Sequence, residues 1–168
     1  DGGEPLVEER TYCFDDESFV PRAHADAIVE PGGERARRWV FYVDDPIGTP
    51  EELVSERGEV LGALDRLAWG RTERAPASKA TTVLRFQGQI EDAELGLFYN
   101  RFRYYDPEVG GYIGADPIGL AGGLDLFAYV PDPFSWIDPL GLVFKKLPEE
   151  YDVNQHTKHG SPRSPLES

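Results

Sequence analysis

The sequence predicts an all-β protein built mainly from antiparallel hairpins. Runs of aromatic and β-branched residues, such as Trp39-Val40-Phe41-Tyr42-Val43, alternate with Asp-Pro and Gly turns. These strand–turn–strand units recur at intervals of about 20 residues, the spacing of a hairpin array. The 18 glycines and 14 prolines make the chain turn-rich.

Taken in order, Thr11-Tyr12-Cys13-Phe14 and Phe19-Val20-Pro21 read as two short strands around the turn Asp15–Ser18. Residues 22–38 are polar, are broken by Pro31-Gly32-Gly33, and read as a loop. Trp39–Val43 is a strand. In Asp44–Pro50 the prolines fix φ, Gly48 admits positive φ and Asp45 bonds the local backbone, so the chain turns there. Glu52–Ser55 is a strand, Glu56-Arg57-Gly58 a tight connection, and Glu59–Trp69 the return, read as strand over helix because a hairpin turn feeds it. Residues 70–80 are a small-residue linker. Thr82–Phe86 alternates as a half-buried strand does. After the turn Asp92–Gly96, Leu97–Tyr105 reads as one long aromatic strand with Arg101 and Arg103 on one face. Asp106–Gly110 turns the chain, Gly111–Gly114 is a short strand, and Asp116–Gly119 turns it again. Gly122-Gly123 admits close backbone approach, and Leu124–Val130 is a helical turn or a strand. Pro131, Pro133 and Pro139 exclude a long element up to Leu142. So few units do not close a barrel, and their open edges call for partners.

Composition excludes several functions. Acids outnumber bases 31 to 17, for a net charge of −14, which opposes both a phosphate backbone and an anionic membrane. No apolar run reaches the length of a membrane span. Cys13 is the only cysteine, so no intrachain disulfide forms, and the lone thiol reads as a small buried apolar group. The start, DGGEPLVEER, lacks a basic region followed by an apolar run and reads as an internal starting point rather than a secretory signal.

The stretch Leu84–Leu142 resembles the Rhs repeat-associated core domain, the C-terminal end of the tyrosine-aspartate repeat shell of Rhs polymorphic toxins and Tc-toxin C components. The likeness rests on six motifs in order. These are Leu84-Arg85-Phe86-x-Gly88-Gln89, Asp92-x-Glu94-x-Gly96-Leu97-x-Tyr99-Asn100-Arg101-x-Arg103-Tyr104-Tyr105-Asp106-Pro107, Asp116-Pro117-Ile118-Gly119-Leu120, Gly122-Gly123, Tyr129-Val130 and Asp138-Pro139-Leu140-Gly141-Leu142. Upstream, Trp39–Thr72 resembles the last repeats before such a core.

The resemblance implies a hollow β-shell around a toxic C-terminal segment, plugged by a core that is an aspartyl autoprotease. By position, the catalytic carboxyls are Asp116 and Asp138, and the cut falls between Leu142 and Val143. The implied partners are the rest of the shell, its enclosed toxin, and secretion-apparatus, chaperone or immunity proteins. The implied location is the bacterial cytoplasm before export without a signal peptide. The chemistry is coherent, because peptide hydrolysis by carboxyls needs one ionised to activate water and one protonated to polarise the carbonyl. Asp138 precedes Leu142 by four residues, which tethers the scissile bond near one acid. Arg101 and Arg103 are candidate partners for a carboxylate. Asp-Pro-x-Gly is equally good turn chemistry, and Asp106 reads as such a turn. The family pattern is broken at Gly111, where Arg is usual, and at Asp125 and Asp132, where Asn is usual; extra acids and a lost base raise neighbouring carboxyl pKa values.

The expected division is residues 1–80 as terminal repeat-like hairpins and linker, 81–142 as core and plug, with a short irregular or helical end, and 143–168 as a tail of disordered composition. That tail reads as the start of a variable toxin segment or a truncated remnant, since a complete toxin needs on the order of 100 residues. His156 and His159 lack a third ligand, so no metal is expected, and the absence of a phosphate-binding glycine loop leaves no cofactor expected. Two other readings stay open: a non-catalytic truncated Rhs fragment acting as structural cap or interaction module, and a toxin, for example a nuclease, acting through the tail.

Overall fold

The computed structural model describes residues 6–30, 32–75 and 78–147. Strands β1 (Leu6–Phe14), β2 (Pro21–Val29), β3 (Arg35–Asp44), β4 (Pro50–Ser55), β5 (Val60–Arg66) and β6 (Thr72–Arg74) form one antiparallel meander, each paired with its neighbour in sequence. A second meander holds β7 (Ile90–Asp92), β8 (Leu97–Asn100), β9 (Arg103–Asp106) and β10 (Gly111–Tyr112). Finally β11 (Trp136–Ile137) pairs with β12 (Lys145–Lys146). Between β10 and β11 the chain is irregular, with one 3₁₀ turn at Gly119–Ala121. The fold is therefore all-β and antiparallel, with an irregular segment where the plug was expected.

Turn chemistry accounts for the hairpins. Asp45 Oδ1 accepts the amides of Ile47 and Thr49 at 3.0 and 2.8 Å, and Gly48 takes φ 76°. Alternation then sorts the side chains. In β3, Val40 and Tyr42 are buried while Phe41 and Val43 face out.

Five expectations need correction. Residues 22–38, read as loop, hold all but the first residue of β2 and the start of β3. The reading failed because β2 buries polar residues: His24 and Asp26 are both fully inaccessible. Their burial is sustained by Arg10, whose Nε and Nη2 donate to Asp26 at 2.6 and 2.9 Å, and by Arg38 at 3.1 Å. Residues 70–80 contain β6, a strand made by edge pairing with β5. Thr82–Phe86 is not a strand but a coil with a single bridge, Leu84 to Ile90. It serves both cores, Leu84 packing with the first sheet and Phe86 entering the second, while Val83 is exposed. Leu97–Tyr105 is two strands, β8 and β9, reversed at Arg101-Phe102, where Arg101 adopts φ 49°. Leu124–Val130 is irregular, touching β10 through the bridge Gly111–Ala128.

Two apolar cores result. One joins Val40, Tyr42, Leu53, Ala80 and Leu84 against the first sheet. The other joins Ile47, Phe86, Phe98, Tyr105, Tyr112, Tyr129 and Val130, with Trp136, Phe144 and Leu147 at its margin. Ile47 comes from a first-sheet turn, so the sheets interlock.

Candidate active site at the Leu142 peptide

Arg103 opens β9 immediately after the hairpin reversal, which turns its side chain inward, where it is 4% accessible. Every guanidinium nitrogen finds a partner. Nε donates to the Gly141 carbonyl at 2.7 Å and Nη1 to the Leu126 carbonyl at 3.0 Å. Nη2 lies 3.0 Å from Asp116 Oδ2 and 3.5 Å from Asp138 Oδ2. The plane of the group rests over the Tyr112 ring, 3.7 Å from its centroid. One guanidinium thus gathers both carboxyls of the expected pair.

Each carboxyl is also fixed by its own loop. Asp116 Oδ1 accepts the Ile118 amide at 2.9 Å, the Asp-Pro turn closing on itself. Asp138 Oδ1 accepts the Leu142 amide at 3.0 Å, and its Oδ2 accepts the Tyr112 hydroxyl at 2.9 Å. Asn100 Nδ2 in turn donates to the Tyr112 oxygen at 2.8 Å and to the Asp138 carbonyl at 3.0 Å. Burial above all, with Asp138 next, pushes the Tyr112 hydroxyl far above its usual range, so it stays a donor.

Gly122 closes the arrangement. A Cβ there would stand 2.3 Å from Asp116 Oδ2 and 2.6 Å from the Leu142 carbonyl oxygen. Those two oxygens therefore share the space that any larger residue would fill. The Leu142 N–H is held by Asp138, and the Leu142 carbonyl and the Asp116 carboxyl both border the space at Gly122.

No family model matches the chain. A double-stranded DNA deaminase toxin A from Burkholderia cenocepacia is 41% identical over 140 residues, 76% of this chain and 10% of that protein. Toxin protein Tse5 of Pseudomonas aeruginosa is 43% identical over 109 residues, 63% of this chain and 8% of that protein. The chain thus spans a tenth or less of the length of these relatives. A crystal structure of TcdB2-TccC3 matches at TM-score 0.67 over 81% of this chain and 7% of the other; at 24% identity it speaks for the fold. The chain carries an Rhs repeat-associated core.

Within the Rhs core, the remaining candidate residues fall as follows. Arg101 does not share a face with Arg103; it is exposed in the hairpin reversal, its guanidinium 5.5 Å from the Phe102 ring centroid. Gly111 sits in β10, where a Cβ would lie 3.0 Å from the Phe127 carbonyl. Asp106, Asp125 and Asp132 cap local turns through the amides of Glu108, Phe127 and Phe134. Asp132 also accepts the Ser135 hydroxyl, which with the Phe134 amide lowers its pKa. Cys13 is half-buried in β1. His156 and His159 lie outside the described residues, as does the tail from 148 onward. Among the described residues no three His, Cys, Asp or Glu side chains group as a metal site, and no helix is long and apolar enough to cross a membrane. Sequence reasoning missed Tyr112 and Asn100. Asn100 stands in the second family motif but is given no role there, and Tyr112 leaves no signal.

Proposed function

We propose that this Rhs core cuts its own chain between Leu142 and Val143 by aspartyl-protease chemistry. The observation that carries the reading is the convergence of Asp116 and Asp138 on Arg103, with the Leu142 amide on Asp138 and the Leu142 carbonyl bordering the same glycine as the Asp116 carboxyl. Asp138, which receives Tyr112, Leu142 and Arg103, takes the role of carboxylate base. It accepts a proton from water as the water oxygen bonds to the Leu142 carbonyl carbon. Asp116 takes the role of acid, giving a proton to the carbonyl oxygen. Collapse of the tetrahedral species breaks the bond to Val143 as a diol hydroxyl returns its proton to Asp116 and Asp138 passes the proton it took from water to the Val143 nitrogen. No cofactor or metal enters this scheme.

At the scale of the whole protein, residues 81–142 plug a β-shell formed with chain beyond this region, and residue 143 begins the enclosed toxin. The shell, the toxin and the bacterial export apparatus are then its partners, and it leaves the cytoplasm as an effector. Likeness to toxins supports this setting.

Mass spectrometry of the purified chain tests the chemistry. Separation after Leu142 is expected, and Asp116→Asn or Asp138→Asn should abolish it. A wild-type chain that stays intact through prolonged incubation sinks the proposal. It would favour the reading of the cluster as a structural cap, to which the complete satisfaction of Arg103 also lends support.

A further inference from the structure

The residues just beyond the proposed cut are not loose. Phe144 stands against the Trp136 ring, centroids 5.5 Å apart and edge to face. Its Cε1 lies 3.6 Å from where a Cβ on Gly123 would be. Lys145 and Lys146 pair with Ile137 and Trp136 as β12 on β11, and the Leu147 amide donates to the Ser135 carbonyl at 2.8 Å. Phe144 and Leu147 both pack at the margin of the second core. Val143, by contrast, is 56% exposed. The chain is therefore gripped on both sides of one peptide. Upstream, Asp138 holds the Leu142 amide; downstream, a docked strand holds Phe144 to Leu147. Gly122 and Gly123 serve the two sides in turn, one admitting the Leu142 carbonyl and the other touching the Phe144 ring.

We infer that Phe144–Leu147 is the recognition strand of the self-cleavage site, and that it sets which sequences can be cut when they follow Leu142. This rests on the proposed cleavage. The substrate it selects is a downstream piece with an aromatic ring at its second residue, followed by three residues able to add as a strand to β11. The physical basis is orientation. A peptide fixed at one end still swings about Leu142, whereas one fixed at both ends presents its carbonyl carbon to the carboxyls in a single pose. Lys145 and Lys146 are both exposed, and the Lys146 charge also acts on Asp132.

The test compares cleavage rates in the full chain. Phe144→Ala removes the ring, and Leu147→Pro removes the Ser135 hydrogen bond; each should slow cleavage tenfold or more with the melting temperature of the second core retained. Lys145→Thr, an exposed strand residue, should stay within twofold of wild type. Wild-type rates in both Phe144→Ala and Leu147→Pro overturn the inference and leave the protease reading intact. If the wild-type chain never cuts, the protease reading fails and recognition fails with it. Amide exchange in the uncut chain then decides whether the strand is docked at all: slow exchange at Leu147 supports docking, and fast exchange refutes it.

Discussion

Gly122 is the residue at which the site is most sensitive to a single atom. A methyl there would overlap both the Asp116 carboxyl and the Leu142 carbonyl. Gly122→Ala should therefore abolish self-cleavage and cost about 2 kcal/mol in stability, the scale of overpacking. Gly114→Ala, with nothing within 4 Å of its Cβ, should do neither. Mass spectrometry and denaturant unfolding read the two effects, and a cleaving Gly122→Ala chain would disconnect this glycine from function. Away from the site, two buried groups oppose each other in pH. Burial pushes Asp44 up to about 7, against the pull of Arg22, and neither of its oxygens has a hydrogen-bond partner. Between pH 4 and 7 the folded chain holds a proton that the unfolded chain has released, so this group's contribution falls as pH rises. Burial, helped by Arg10 and Arg38, pushes His24 down to about 4. Between pH 4 and 6.5 the unfolded chain binds a proton that the folded chain refuses, so this contribution falls as pH drops. Asp44→Asn should raise stability at pH 8 by about 2 kcal/mol. It should also leave the His24 slope uncovered, with unfolding midpoints that decline from pH 6.5 to 4.5. No gain at pH 8 would show that Asp44 is better solvated than its burial indicates.

At the scale of elements, the β8–β9 hairpin decides the site. Read as one strand, Leu97–Tyr105 would place Arg101 and Arg103 together. The reversal separates them and sends only Arg103 inward. The aromatic run concealed the break because a non-glycine residue occupies the left-handed position. Arg101→Ala should accordingly leave cleavage within twofold, while Arg103→Lys, which loses the fork shared among four oxygens, should lower it at least tenfold and cost about 2 kcal/mol. Equal effects of the two in a cleavage time course would contradict the assignment. The β2 strand was illegible for a different reason. Its Asp26 and His24 look like loop residues until Arg10 and Arg38, distant in sequence, are seen on either side. Asp-Pro and Gly turns, in contrast, are local chemistry, and those at Asp45, Asp106 and Asp116 form where the sequence places them.

For the molecule as a whole, the interlocked cores leave two features open. The outer strand β1 exposes Leu6 and Val7 along an edge that no strand pairs among the described residues. Phe14, Phe19, Tyr99 and Phe102 surround a hollow of about 690 Å³ floored by Phe86 and Pro139. Such an edge templates strand addition. The isolated chain should associate with rising concentration, and Val7→Lys should reduce that association in sedimentation velocity; association unchanged by the lysine would place the contact elsewhere. The sequence by itself determined the all-β class and most of the hairpin turns, because strand propensity, alternation and turn chemistry act between neighbours in the chain, whereas Asp116 and Asp138 stood out from other Asp-Pro turns only by family resemblance. Only the tertiary structure decided that Arg103, and not Arg101, joins Asp116 to Asp138. It alone placed Tyr112 and Asn100 beside Asp138, and brought the Leu142 carbonyl and the Asp116 carboxyl to the same glycine. Those contacts join residues from separate loops, and no local pattern encodes which loops meet when two cores close on one another.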